Sequence, residues 1–257
     1  MRHPTAIIDP LANLAEDVKV GPYSIIGPHV AIGEGTVIDQ HVVIKKNTCI
    51  GQQNRIAAFA SIGGDSQSRQ DHPDQDTWLE IGDGNVIHEY VSINRGSIHD
   101  AGRTVIGSQN ILMAYTHVGH DCMIGDHTIL VNHTTLGGHV QIDDHALLSA
   151  FTAVHQRCQI GRHAMIVKGS LLNKDVPPYV MISGNPPKYV GLNRVGLDRH
   201  GFLVDQIKRI QEAYKVTFSQ GLTTDQALKE LDQMSDPDGL IAPIIHSLKS
   251  SKFGLVR

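Results

Sequence analysis

Aliphatic side chains recur every sixth residue along most of the chain. Stepping from Ile8 meets Leu14, Val20, Ile26, Ile32, Ile38, Ile44, Ile50, Ile56 and Ile62. The series restarts in a shifted register at Ile81, Ile87 and Ile93. It restarts again at Ile106 and runs through Leu112, Val118, Ile124, Leu130, Leu136, Ile142, Leu148, Val154, Ile160, Ile166 and Leu172. A fixed short period of this kind marks a solenoid, in which each repeat buries its apolar face against the next. Four residues after each aliphatic the side chain is usually small or β-branched, as at Ser24, Thr36, Thr48, Ala60, Thr116, Cys122, Thr128, Thr152, Cys158 and Ala164. Gly or Asp often follows the aliphatic directly, as at Gly27, Gly33, Gly125, Asp143 and Gly161. The pattern predicts a short strand, a corner and another short strand, with the Gly or Asp accommodating the turn.

Three hexapeptides make one triangular coil, so residues 18 apart stack at the strand spacing of about 4.8 Å. About eight coils give a prism roughly 38 Å tall. The hexapeptide pattern resembles that of left-handed parallel β-helices, and the hand is taken from that resemblance, because the crossover rule favours the right hand. Two polar excursions interrupt the register, at 64–80 and 98–105. Loops carried on a rigid solenoid are where binding and catalysis tend to sit.

The period ends near Leu172. An irregular connector, DVPPY and GNPPK, leads to a helical pattern from about residue 198. Phe202, Ile207, Ile210 and Tyr214 suit one helix face ending at Gly221, and Thr223 with Gln226 forms a capping-box signature for a second helix. A third is predicted over 239–250. The fold class is therefore mainly β, a left-handed parallel β-helix over 1–190 with a small helical domain over 191–257.

Composition narrows the function. A net charge of −4 with no long basic run gives no reason to expect nucleic acid. No apolar stretch is long enough to span a membrane, and the MRHPTAIIDP start lacks the apolar core of a secretory signal. The three cysteines suit a reduced cytoplasm. Cys122 and Cys158 stand two coils apart with Val140 between them, too far for a disulfide, and are expected in the core.

Histidine is abundant, at 16 residues. His127, His145 and His163 are 18 apart in succession and should form a ladder of turn residues along one corner. His117, His120, His139 and His155 fall elsewhere. Gly138 lies 18 beyond His120, His139 lies 18 beyond Asp121, and His155 lies 18 beyond Gly137. Winding should gather a histidine with an adjacent carboxylate, two more histidines and side-chain-free amides. Such a group suits acyl transfer: His120 as general base for an attacking hydroxyl, Asp121 orienting the ring, and the Gly138 amide donating to the oxyanion.

Longer segments sharpen this. LMAYTHVGHDCMIG (112–125), TTLGGHV (134–140), TAVHQRCQIG (152–161), DVPPYV (175–180) and GLNRVGLDRHGF (191–202) resemble the UDP-N-acetylglucosamine acyltransferases that open lipid A synthesis. The resemblance spans nearly the whole chain. It implies a 3-hydroxyacyl donor on acyl carrier protein, an acceptor sugar hydroxyl, no separate cofactor, no metal, and a homotrimer with active sites between neighbouring prisms. It assigns His120 as base, Asp121 as its partner and Gly138 as the oxyanion amide. His117, His139, His155 and Gln156 would line the sugar and phosphopantetheine sites, and Asn193 and Arg199 the nucleotide end. Lys208 and Arg209, with Arg199, would meet the acidic carrier protein. Lys168 matches the position that limits acyl length, where long-chain enzymes carry glycine, which implies a shorter chain here.

Three positions depart from the family. The first loop has Arg69 as its only cation where the family has a lysine, Asn94 replaces a histidine, and Val195 replaces an acidic residue. These leave open a different acceptor, such as a 3-amino UDP-sugar. Two other readings remain: a zinc-dependent carbonic-anhydrase-like prism, with histidines from neighbouring coils as ligands, and a prism without activity.

Overall fold

The protein is described by a computed structural model covering residues 1–69, 75–218 and 221–257. Among the described residues, twenty-seven short strands form three sheets of nine, eight and ten strands. Every third strand in sequence pairs in parallel, so the chain winds through the three sheets in turn. Regular coils pair residues 18 apart, such as Ile7 with Ile25 and Thr135 with Ala153. Across the first excursion the partners lie further apart in sequence, Ile50 with Ile81, and across the second Ile81 pairs with Ile106.

The aliphatic series is the core. Ile26, Ile38, Ile62, Ile93, Leu112, Val118, Leu136, Leu148 and Ile166 are all at most 1% exposed. Each such side chain contributes about 1.5–3 kcal/mol by leaving water. The small residues four places on are buried as well, among them Ser24, Thr36, Cys122, Thr128 and Cys158. Cys122 and Cys158 are free thiols, and burial pushes both up to about 12.

One detail of the corner differs from the expectation. The left-handed backbone falls three residues after the aliphatic, on large side chains: Tyr23, His41, Phe59, Tyr115, Asp121, His139, His145 and His163 all have φ between +55° and +65°. The glycine directly after the aliphatic instead permits close approach of neighbouring coils. A Cβ on Gly33 would stand 2.7 Å from the carbonyl carbon of Gly51, one coil away. Corner side chains project outward and stack on their equivalents, which offsets the αL cost. The His127–His145–His163 ladder forms, with centroids 4.9 and 4.6 Å apart. A longer one runs Tyr23, His41, Phe59, Tyr90, Tyr115, His133 and Phe151.

The excursions are shorter than predicted, because strands Ser61–Gly64, Trp78–Ile81 and Arg103–Ile106 extend into their expected limits. Their edges are polar in sequence, but the neighbouring coils supply backbone partners. Residues 70–74 of the first excursion lie outside the described residues.

A strand at Lys188–Leu192 pairs antiparallel with Val180–Ser183 and crosses the expected boundary at 190/191. Four helices follow among the described residues: α1 (Arg194–Arg199), α2 (Val204–Phe218), α3 (Thr224–Gln233) and α4 (Ala242–Ser250). Ile207, Ile210 and Tyr214 form the buried face of α2, whereas Phe202 precedes the helix. Thr223 caps α3 with the expected box. Helix α1, six residues long, is too short to show a period in the sequence. The Tyr214 hydroxyl donates to the carbonyl of Pro178 at 2.5 Å, and Asp175 accepts from Ser251, tying the helices to the prism. No helix among the described residues is long and apolar enough to cross a membrane.

Candidate active site

His120 sits just before a corner whose αL residue is Asp121, at φ +58°. Its Nδ1–H donates to Oδ2 of Asp121 at 2.8 Å. Asp121 is 5% exposed, and both its oxygens accept the Ser97 amide at 3.0 Å. The Thr104 hydroxyl receives the Asp121 amide at 2.8 Å. These contacts hold the carboxylate in one orientation and thereby orient the ring, leaving Nε2 as the nitrogen available for a proton.

The stacking arithmetic holds at Gly138. A Cβ there would lie 2.6 Å from Nε2 of His120, so only glycine leaves the imidazole its place. Among the described residues nothing accepts the Gly138 amide. The ring of His139 meets that of His120 edge-on at 4.9 Å. Arg157 donates to Nε2 of His139 at 3.3 Å, and Oδ2 of Asp100 lies 2.6 Å from Nδ1, outside hydrogen-bonding geometry. Burial, with the Arg157 charge adding to it, holds His139 below the usual histidine range. Burial does the same to His117, whose Nδ1 shares a hydrogen bond with the Ser92 hydroxyl at 2.8 Å.

These groups line a cleft of about 610 Å³ that also takes in Asn94, Gly137, Gln156 and Arg157. A larger hollow of about 770 Å³ beside α4 is lined mainly by Met123, Gln141, Asp144 and His246 and holds no pair oriented like His120 and Asp121, which makes the smaller cleft the candidate site. Of the expected site residues, His117, His120, Asp121, Gly138, His139 and Gln156 come together. His155 is exposed, donates to the Gln156 carbonyl and turns its ring toward Phe253. Asn193 is the N-cap of α1, accepting from the Gly196 amide and donating to the His163 carbonyl. Arg199 and Lys168 are exposed outside the cleft. Lys208 and Arg209 pair with Asp205 and Asp238.

Asp100, Ser97 and Arg157 were missed. Arg157 lies 18 beyond His139 and was within reach of the same arithmetic. Ser97 and Asp100 belong to the second excursion, where periodicity says nothing. Beside the excursions, Arg95 is only 2% exposed and pairs with Asp65 at 2.5 Å. Burial would raise the Asp65 carboxyl, but Arg95, helped by Lys45, brings it below its ordinary value.

A three-sheeted parallel prism with an oriented histidine–carboxylate pair against a bare glycine backbone defines a hexapeptide-type transferase. Residues 103–138 match the model for bacterial transferase hexapeptide (six repeats), and residues 175–256 match that for UDP-N-acetylglucosamine O-acyltransferase, domain 2. Acyl-[acyl-carrier-protein]–UDP-N-acetylglucosamine O-acyltransferases of Saccharophagus degradans and Pseudomonas entomophila are 45% and 48% identical to this chain, covering 99% of it and 98% of each relative. The solved Moraxella catarrhalis UDP-N-acetylglucosamine O-acyltransferase is 44% identical with a TM-score of 0.97, covering 100% of this chain and 99% of the other. The Francisella novicida UDP-N-acetylglucosamine acyltransferase is 39% identical with a TM-score of 0.97, covering 100% and 94%. The chain belongs to the acyl-[acyl-carrier-protein]–UDP-N-acetylglucosamine O-acyltransferase family and is an acyltransferase with a left-handed parallel β-helix.

Proposed function

We propose that this enzyme transfers a 3-hydroxyacyl group from acyl carrier protein to the 3-hydroxyl of UDP-N-acetylglucosamine, the opening step of lipid A synthesis. The observation that carries the mechanism is the seat of His120, held by Asp121 on one nitrogen and facing the Gly138 backbone with the other. Nε2 takes the proton of the sugar hydroxyl as its oxygen attacks the thioester carbonyl. The Gly138 amide stabilises the tetrahedral oxyanion, and collapse expels the phosphopantetheine thiolate, which regains a proton from His120. Asp121 stabilises the imidazolium formed in between. The acceptor hydroxyl attacks directly, so no protein nucleophile is used.

His117, His139 and Gln156 line the acceptor and phosphopantetheine sites in this reading. Asn193, Arg199 and His155 do not line the His120 cleft of their own chain, which supports a homotrimer whose sites are completed by a neighbouring prism. The division at about residue 190 makes the helical part, with Lys208, Arg209 and Arg199, the docking surface for the acidic carrier protein, in the cytoplasm. Lys168 restricts the acyl chain to a shorter length than in relatives with glycine there. Mass spectrometry of products from defined carrier thioesters and UDP-N-acetylglucosamine tests the acceptor, the acyl length and the role of His120. An ester product from wild type, and at least about 100-fold less from His120→Ala at equal enzyme and time, is expected. Transfer only to a 3-amino UDP-sugar would overturn the acceptor, and a preference for the longest chains would overturn the role of Lys168.

A further inference from the structure

The histidine ladder at the other corner does more than turn the chain. His145 and His163 are stacked with centroids 4.6 Å apart, and His200, at the end of α1, meets both, at 4.8 and 5.0 Å with its ring tilted 58° and 65° to theirs. One ligating atom from each of the three lies within 4.8 Å of the others. The Nδ1–H of His200 donates to the Gly196 carbonyl at 2.8 Å, which leaves Nε2 with the free lone pair. That is the backbone arrangement that fixes the tautomer of a metal-bound histidine. Nδ1 of His145 and Nδ1 of His163 are buried with no hydrogen-bond partner. His163 is 7% exposed, and a buried ring nitrogen without a partner is costly unless something else occupies it.

The surroundings suit a neutral imidazole set. Phe202 packs edge-on against His163 at 5.0 Å, and Tyr179 stacks at 5.9 Å. Arg162, the nearby cation, is paired with Asp144 at 3.2 Å. None of these three histidines takes part in the acyl-transfer cleft.

We propose that His145, His163 and His200 bind a zinc-type divalent cation that clips α1 onto two successive coils of the prism. Three imidazoles with a fourth position open to water suit borderline ions such as zinc. Zinc–nitrogen bonds of about 2.0–2.1 Å require the three atoms to draw closer: the exposed His200 swings in, and the rings of His145 and His163 tilt out of their parallel stack so that their in-plane lone pairs converge on the ion. Asn193 and Arg199 frame the same helix, and Asn193 already bonds the His163 carbonyl. The cation therefore sets the position of the segment assigned to the nucleotide end. The site stands apart from the His120 chemistry and does not depend on the acyl-transfer reading.

The test is zinc uptake by the full-length chain without a histidine tag, stripped with chelator and dialysed against zinc chloride, read by elemental analysis and by melting temperature. Wild type and His120→Ala should each hold one zinc per chain and melt higher with zinc present. His200→Ala should bind at least about 100-fold more weakly, beyond the range expected for loss of an outer partner. His145→Phe, which keeps the ring stack, should do the same. No stoichiometric zinc in wild type overturns the proposal, as does zinc retained by both His200→Ala and His145→Phe. Zinc lost in His120→Ala would move the metal to the cleft and overturn both this proposal and the acyl-transfer mechanism.

Discussion

In the proposed mechanism, what would make His120 a base rather than an inert corner histidine comes down to two neighbours. Asp121 binds one nitrogen, and Gly138 leaves room beside the other. Replacing His120 by Ala should lower kcat by roughly 10²- to 10⁴-fold with little change in melting temperature, read by steady-state assay. Gly138→Ala inserts a carbon into the space of the imidazole and should cut kcat severely, while circular dichroism remains that of wild type. His117 supplies a pH prediction. Burial holds its folded value below the ordinary histidine value, so the unfolded chain takes up its proton first as pH falls. Its contribution to stability is complete above the unfolded pKa of about 6.5 and declines below it. The stability gap between wild type and His117→Phe in urea titrations should therefore narrow from pH 7 to pH 5.

Among the elements, the corner carries most of the design. Large residues occupy the αL position because their side chains leave the coil and stack, while the following coil is approached by a residue without Cβ. Gly33→Ala should destabilise the prism by a few kcal/mol, about 1–3 as for other overpacking changes. Thermal unfolding checks it. The arrangement around the excursions depends instead on one buried charge. Asp65→Ala strips Arg95 of its partner and should cost about 2–3 kcal/mol, somewhat under the 3–5 of a fully buried pair because Asp65 remains partly exposed. On α3, Thr223→Ala removes the hydroxyl that accepts from the Gln226 amide, one arm of the capping box, and should cost about 1 kcal/mol.

For the whole molecule, a trimer of this 28.0 kDa chain is expected in solution, and light scattering on the eluting protein measures it directly. A monomeric mass with full activity would sink the shared-site reading. The coil count, the three-fold winding and the contact of His120 with Gly138 were legible because an 18-residue repeat turns sequence separation into stacking distance. The same rule would have found Arg157 above His139. Ser97 and Asp100 could not be found that way, because an excursion breaks the relation between number and height.

What the amino-acid order determined unaided is whatever repetition enforces: aliphatics inward every sixth residue, small residues behind them, and partners 18 apart on one corner. The short helix α1, the approach of His200 to the ladder, the buried Arg95–Asp65 pair and the seat of Asp121 under the Ser97 amide were decided only in three dimensions. Each joins segments whose separation follows no period, so their meeting depends on how irregular chain closes against the prism.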